Sequence, residues 1–157
     1  MATAEEQGAQ VSIRLARPAD AGRVAILSGQ LGYPTTPEQA GRRLEAILHD
    51  DRHAVWVALC DGLLVGWVHV LVRSLLIEER PAEIAGLVVD EAYRSHRIGE
   101  LLVQQAERWA RERGCAVLQV RSNVIRQDAH RFYRRLGFQH YKTQLSMRKE
   151  LAAVTSN

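Results

Sequence analysis

The stretch from Ala82 to Ser122 most limits what this chain can fold into. "AEIAGLVV" is an apolar run of strand length, Ile98, Leu102, Ala106 and Trp109 then recur at helical spacing up to Gly114, and "CAVLQVRS" is again apolar and β-branched. Strand, helix and strand in close succession form a parallel pair joined by a right-handed crossover. The surroundings read as antiparallel. "HAVWVALC" and "LLVGWVHVLV" are separated by Asp61-Gly62, the strongest hairpin signal in the chain. Val11 to Arg17 alternates apolar and polar residues until Pro18 stops it, and "ADAGRVAILSGQL" takes up helical spacing. Thr36, Pro37 and Gln39 then form a capping signature for a second helix ending near His49. After Ser122, "QDAHRFYRRL" reads as a short helix closed by Gly137, and "FQHYKTQLSMRKEL" as two last strands. The expected order is β, α, α, β, β, β, α, β, α, β, β. This is an α/β fold with a mixed sheet of about seven strands and helices on both faces.

At 157 residues, 46% of them apolar, the chain is sized for one domain over residues 11–157 behind a flexible stretch over residues 1–10. "MATAEEQGAQ" is polar and acidic where a signal peptide is basic and then apolar, and no apolar run reaches membrane-spanning length, so a cytoplasmic protein with no membrane partner is expected. Cys60 and Cys115 lie in separate apolar runs without histidines at metal spacing, which reads as two buried thiols, no disulfide and no metal. The net charge is +3, and arginine is concentrated after Tyr93 whereas the acidic residues are spread throughout. That skew suggests an anionic partner for the C-terminal half. For Arg108, Arg111 and Arg113, solvated helix faces with Glu–Arg pairs are the simpler reading.

The strand-to-helix turn "VVDEAYRSHRIGELL" is where an anion fits. A helix N-terminus offers unpaired N–H groups and about half a positive charge. Arg94 and Arg97 flank this one, and Gly99 in the first turn lets a phosphate approach the backbone. Neither the mononucleotide nor the dinucleotide glycine pattern is present. "YRSHRIGELL" resembles instead the acyl-CoA pyrophosphate loop of the GNAT N-acetyltransferase superfamily, with Arg94 at the first motif position and Gly99 at the last. Arg97 stands where the family has its middle glycine, which speaks against an unusual backbone angle there. "AHRFYRRLGF" and the preceding "VRSN" resemble the family's C-terminal helix and the strand end facing the pantetheine arm. With the element order, the resemblance extends from Val11 to about Leu151.

The resemblance implies a GNAT-like fold with its fourth and fifth strands splayed, acetyl-CoA as acyl donor, no metal, and acetyl transfer to a primary amine of a small molecule or peptide by direct attack in a ternary complex. It makes Leu87, Val88 and Val89 the edge for pantetheine, with a backbone N–H near Val88 as oxyanion donor. Arg94, Ser95, His96, Arg97, Ile98, Gly99 and Glu100 form the pyrophosphate cradle, and Asn123, Arg126 and Phe132 are further cofactor contacts. Tyr133 is the implied general acid. Glu83, at the start of the strand leading into the cradle, is the implied base, with His69 on a neighbouring strand second. Gln30, Tyr33, Trp67 and Glu78 fall where the family shapes its acceptor pocket. A homodimer follows from the habit of many relatives. Two other readings compete: a catalytically idle CoA-binding regulatory module, and a basic nucleic-acid-binding domain. The latter is disfavoured because the arginines form no stripe with stacking aromatics.

Overall fold

The computed structural model describes residues 9–122 and 124–153. They fall into two compact units divided at residue 123. In the first, β1 (Val11–Leu15) is followed by a single 3₁₀ turn (Pro18–Asp20), α1 (Ala21–Gln30), α2 (Pro37–Leu48), β2 (His53–Cys60), β3 (Leu63–Val72) and β4 (Ala82–Val89). A second 3₁₀ segment (Glu91–His96) leads into α3 (Ile98–Glu112), and β5 (Leu118–Val120) completes the sheet.

Local chemistry accounts for these elements. The Thr36 hydroxyl accepts from the Gln39 N–H at 3.1 Å while the Gln39 side chain accepts from the Thr36 N–H at 3.0 Å, a reciprocal cap on α2 with Pro37 at its first position. Asp61 and Gly62 have φ of 48° and 84°, the two positive values that a tight type I′ hairpin needs. The sheet order is β1-β2-β3-β4-β5, antiparallel from β1 to β4 and parallel between β4 and β5.

Helices cover both faces of this sheet. A Cβ placed on Gly66 would meet Leu102 and Ile98 of α3 at 3.1 and 3.5 Å. The next residue, Trp67, points the opposite way and packs on the cluster built by Val24, Leu27, Ala40 and Leu44 of α1 and α2 with Val55 and Val57 of β2. Ile98, Leu102 and Ala106 are fully buried, so the helical period read from the sequence marks the buried stripe of α3. Both cysteines are free and buried. No helix among the described residues is long and apolar enough to cross a membrane.

The second unit contains α4 (Gln127–Arg135), which ends at Gly137 with φ 95°. Among the described residues the expectation of about seven strands is corrected to five, because residues 138–151 carry no strand. Leu145 and Met147 there are each 90% exposed. Alternating hydrophobicity records which side chains share a face, whereas a strand exists only where a neighbour takes up its N–H and C=O groups. β5 is also shorter than "CAVLQVRS" suggested.

Candidate active site

The two edges of β4 differ. Towards β3 its register runs from Ala82–Val72 to Val89–Gly66, whereas towards β5 only Ala82, Glu83 and Ile84 are paired, with Leu118, Gln119 and Val120. Among the described residues, Leu87, Val88 and Val89 are therefore unpaired on the β5 side. The Asp90 N–H donates to the Val65 carbonyl at 2.7 Å, and with a period of two the Val88 N–H also faces β3. This leaves the Leu87 and Val89 amides turned to the open edge. A β-bulge at Ala85 separates this stretch from the paired one.

The turn after β4 is held by residues that sequence reasoning did not single out. Asp90 accepts from the Ala92 N–H at 3.1 Å and pairs with Arg23 of α1 at 3.1 Å, and Arg23 also donates to the Leu64 carbonyl at 3.0 Å. The Ala92 N–H foremost, then Arg23, hold the Asp90 carboxyl below its usual range. An Asp just before a turn was the available signal; its partner 67 positions away was not. Gln30, expected at the acceptor, uses its side-chain oxygen to accept from the Glu91 N–H at 3.1 Å.

Arg97 is left-handed, with φ 59° and ψ 20°, so the backbone angle thought unnecessary for an arginine is present. The bend lets the 3₁₀ segment pass directly into α3. The first bond inside α3 is from the Leu101 N–H to the Arg97 carbonyl at 3.2 Å, so the N–H groups of Ile98, Gly99 and Glu100 have no partner within the helix. Arg97 pairs with Glu100 at 3.0 Å, Arg94 reaches the Val89 carbonyl at 3.4 Å, and His96 Nδ1 lies 3.2 Å from the Tyr93 carbonyl. Ile98 buries its side chain in the core and offers only backbone here. The backbone of Ser95 lies in the 3₁₀ segment. An extended acyl-thioester carrier fits this arrangement, since an unpaired strand edge leads into a helix start with free donors and flanking arginines.

The face covered by α1 and α2 carries the polar groups. Glu83 is 13% exposed and forms ion pairs with Arg73 at 3.5 Å and Arg121 at 3.1 Å. Glu78 accepts from Gln119 Nε2 at 2.8 Å. The Trp67 ring lies over Gly86, where an added Cβ would come within 2.8 Å of the indole, so only glycine fits beneath it. The Trp67 indole N–H is buried without a partner among the described residues. His69 pairs across the sheet with Gly86, and its Nε2 lies 2.9 Å from His53 Nδ1. Burial first, and then His53, push His69 down to about 4, so it is neutral near pH 7. Tyr33 stands 68% exposed in the loop after α1.

In the second unit, Tyr133 is edge-on to both Phe132 and Phe138, at 5.1 and 5.3 Å between ring centres. Burial pushes its phenol up to about 12 despite the opposing charge of Arg126, so the hydroxyl keeps its proton at neutral pH. Arg126 occupies the N-cap position of α4 without a side-chain capping bond, and the Arg135 guanidinium lies 5.8 Å from the Phe132 ring centre. Asn123 lies outside the described residues.

Known proteins resemble this chain in sequence and in fold. Over 83 residues the chain is 36% identical to the aminoalkylphosphonate N-acetyltransferase of Salmonella typhimurium, a match spanning 52% of this chain and 54% of that protein. The crystal structure of a transcriptional regulator from Bacillus halodurans superposes with a TM-score of 0.80 at 29% identity, covering 89% of this chain and all of that one. The aminoglycoside N-acetyltransferase AAC(6')-Iy in complex with CoA shares the fold, with a TM-score of 0.83 at 19% identity over 92% of this chain and 98% of that one. The model of the acetyltransferase (GNAT) family matches residues 24–138, most of the chain and all of the open edge and cradle, and the chain belongs to that family.

Proposed function

We propose that the protein is an N-acetyltransferase that uses acetyl-CoA to acetylate a primary amine of a small molecule or peptide by direct attack in a ternary complex. The open edge of β4 leading into the α3 start carries this reading. Leu87 and Val89 would hold the pantetheine arm through their free amides, and the backbone N–H groups from Ile98 to Glu100, with Arg94 and Arg97, would hold the pyrophosphate. The family resemblance adds Asn123, Arg126 and Phe132 as further contacts. Acetyl-CoA supplies the acyl group as a thioester.

The chain's own groups do the rest. An amide of Leu87 or Val89 stabilises negative charge developing on the acyl oxygen. An alkylammonium of pKa about 10.4 is mostly protonated near pH 7 and must lose a proton before it attacks. Glu83 accepts that proton, directly or through water, and Arg73 and Arg121 fix its orientation. By the family resemblance, Tyr133 donates to the departing thiolate, and its phenol is protonated at neutral pH. Trp67, Glu78 and Tyr33 shape the acceptor side, with Trp67 as an apolar wall and Glu78 attracting a cation.

Thiol release from acetyl-CoA over a panel of primary amines tests the reading. Turnover with at least one amine, lowered in Glu83→Gln, is expected. Acetyl-CoA binding without turnover on any amine would favour the idle CoA-binding module instead.

A further inference from the structure

The sheet face under α1 and α2 holds a second titratable group in register with the open edge of β4. His69 is paired with Gly86, the residue immediately before Leu87, whereas Glu83 lies three positions earlier. Behind His69 the polar groups continue outward. His69 Nε2 is 2.9 Å from His53 Nδ1, the two rings stack with centres 5.2 Å apart, and His53 Nε2 lies 3.8 Å from Asp50 Oδ2. Asp50 is fixed in turn by Arg52, which donates to both carboxylate oxygens at 3.1 and 3.0 Å.

The other neighbours leave this series intact. Across from His69 on β2 is Val55, and Trp67 and Leu71 flank it on β3. On β4, Gly86 has no side chain and Glu83 is engaged by Arg73 and Arg121. From α2, His49 Nδ1 lies 2.7 Å from the Glu45 carbonyl of its own helix.

The carboxylate decides where the protons sit. With Asp50 ionised, His53 is favoured with its proton on Nε2, facing the carboxylate. In that tautomer His53 Nδ1 would accept from His69 Nε2–H across their 2.9 Å contact, and His69 Nδ1 would be left with a bare lone pair. We propose that Asp50, His53 and His69 form a proton store for acetyl transfer, in which His69 takes a proton from the acceptor nitrogen at Nδ1 and passes its Nε2 proton to His53.

The proposal rests on the acetyltransferase reading above, and the protons balance. The acceptor ammonium carries three, the amide product keeps one, and two leave. Glu83 takes the one lost before attack. His69 takes the one lost after the nitrogen has bonded to the acyl carbon, where that proton is far more acidic than on the free ammonium. As the Nδ1–H bond of His69 forms, its Nε2–H bond breaks and an N–H bond forms at His53 Nδ1. Positive charge thus appears beside Asp50 while His69, which burial keeps neutral, stays uncharged. Once product departs, the His53 proton returns to His69 Nε2 and the Nδ1 proton goes to water. Glu83 also releases its proton to water, and Tyr133, having protonated the thiolate, regains one from it, so one proton is released per turnover.

Histidine is the catalytic residue here only at position 69; His53 and Asp50 are positioning residues. Long-range ¹⁵N–¹H correlations on the histidine-labelled full chain are expected to show His69 protonated at Nε2 and bare at Nδ1. His53→Gln keeps an acceptor for His69 Nε2–H yet takes no proton. It is expected to lower kcat at least tenfold, with acetyl-CoA affinity within twofold of wild type and the His69 tautomer unchanged. A His69 proton on Nδ1 in the wild-type chain overturns the proposal without any variant. So does an unchanged kcat in His53→Gln while the wild type turns over. Absent turnover in the wild-type chain on every amine instead marks failure of the acetyltransferase reading itself.

Discussion

On its β3 side β4 is a closed strand, and on its β5 side it is closed only for its first three residues. The closed side follows from a tight hairpin sheet, in which β2 and β3 run antiparallel and β4 joins them in register. The open side follows from the crossover: β5 ends at Val120, and the bulge at Ala85 separates the β4 stretch beyond it from the paired residues. An unpaired edge of apolar strand is a liability in most sheets, because it templates pairing with another chain. Here it runs into a helix start bordered by arginines, and we propose that the difference between the two sides of one strand makes a binding site out of a defect in pairing.

The largest effect is expected from closing the helix end of the open side. Gly99→Trp places an indole where we propose the phosphates approach, and calorimetry should show acetyl-CoA affinity falling at least a hundredfold with the fold intact by circular dichroism. Tyr133→Phe removes the proposed proton donor and leaves the cradle alone. Its kcat should fall by about 10²-fold, in the range for loss of one general acid, with little change in the KM for acetyl-CoA. On the closed side, Gly86→Ala drives a methyl group into the Trp67 ring and should destabilise the chain by about 1–3 kcal/mol in urea unfolding, as overpacking does. Trp67→Leu in the same chain should return part of that loss.

Two smaller effects probe what holds the turn between the sides. Asp20 and Asp90 both have depressed native pKa values, Asp20 through Arg14 and Asp90 chiefly through the Ala92 N–H. Their stabilisation is present above the ordinary carboxylate pKa and is lost as the pH falls through the lower native value. Unfolding free energy should therefore drop on acidification below about pH 4, where an unperturbed Asp titrates, and less steeply in Asp90→Asn. Least of all, Arg97→Gly exchanges a left-handed arginine for a residue that adopts the angle freely, and loses an ion pair whose arginine is 80% exposed. The net change should lie within about 1 kcal/mol, because the relief of strain is offset by the more flexible unfolded chain.

The parts that were legible in the sequence are those whose cause is local. Asp61-Gly62, the Thr36 cap and the buried stripe of α3 each declare themselves within a few residues. What the sequence hid depends on partners far along the chain. Arg23 and Asp90, Arg73 with Glu83 and Arg121, and His53 with His69 meet only because strands and helices are brought side by side. The left-handed angle at Arg97 was hidden for another reason, since the residue type argues against it and the turn geometry prevails. The two strands expected over residues 138–151 failed because a period of two says nothing about pairing.

The central claim is that the open side of β4 binds the acyl donor, and amide hydrogen exchange reads it residue by residue. On adding acetyl-CoA, the amides of Leu87 and Val89 should slow by at least tenfold, while those of Ala82 and Ile84, next to β5, change little. Binding of acetyl-CoA with unchanged exchange at both Leu87 and Val89 would contradict the account.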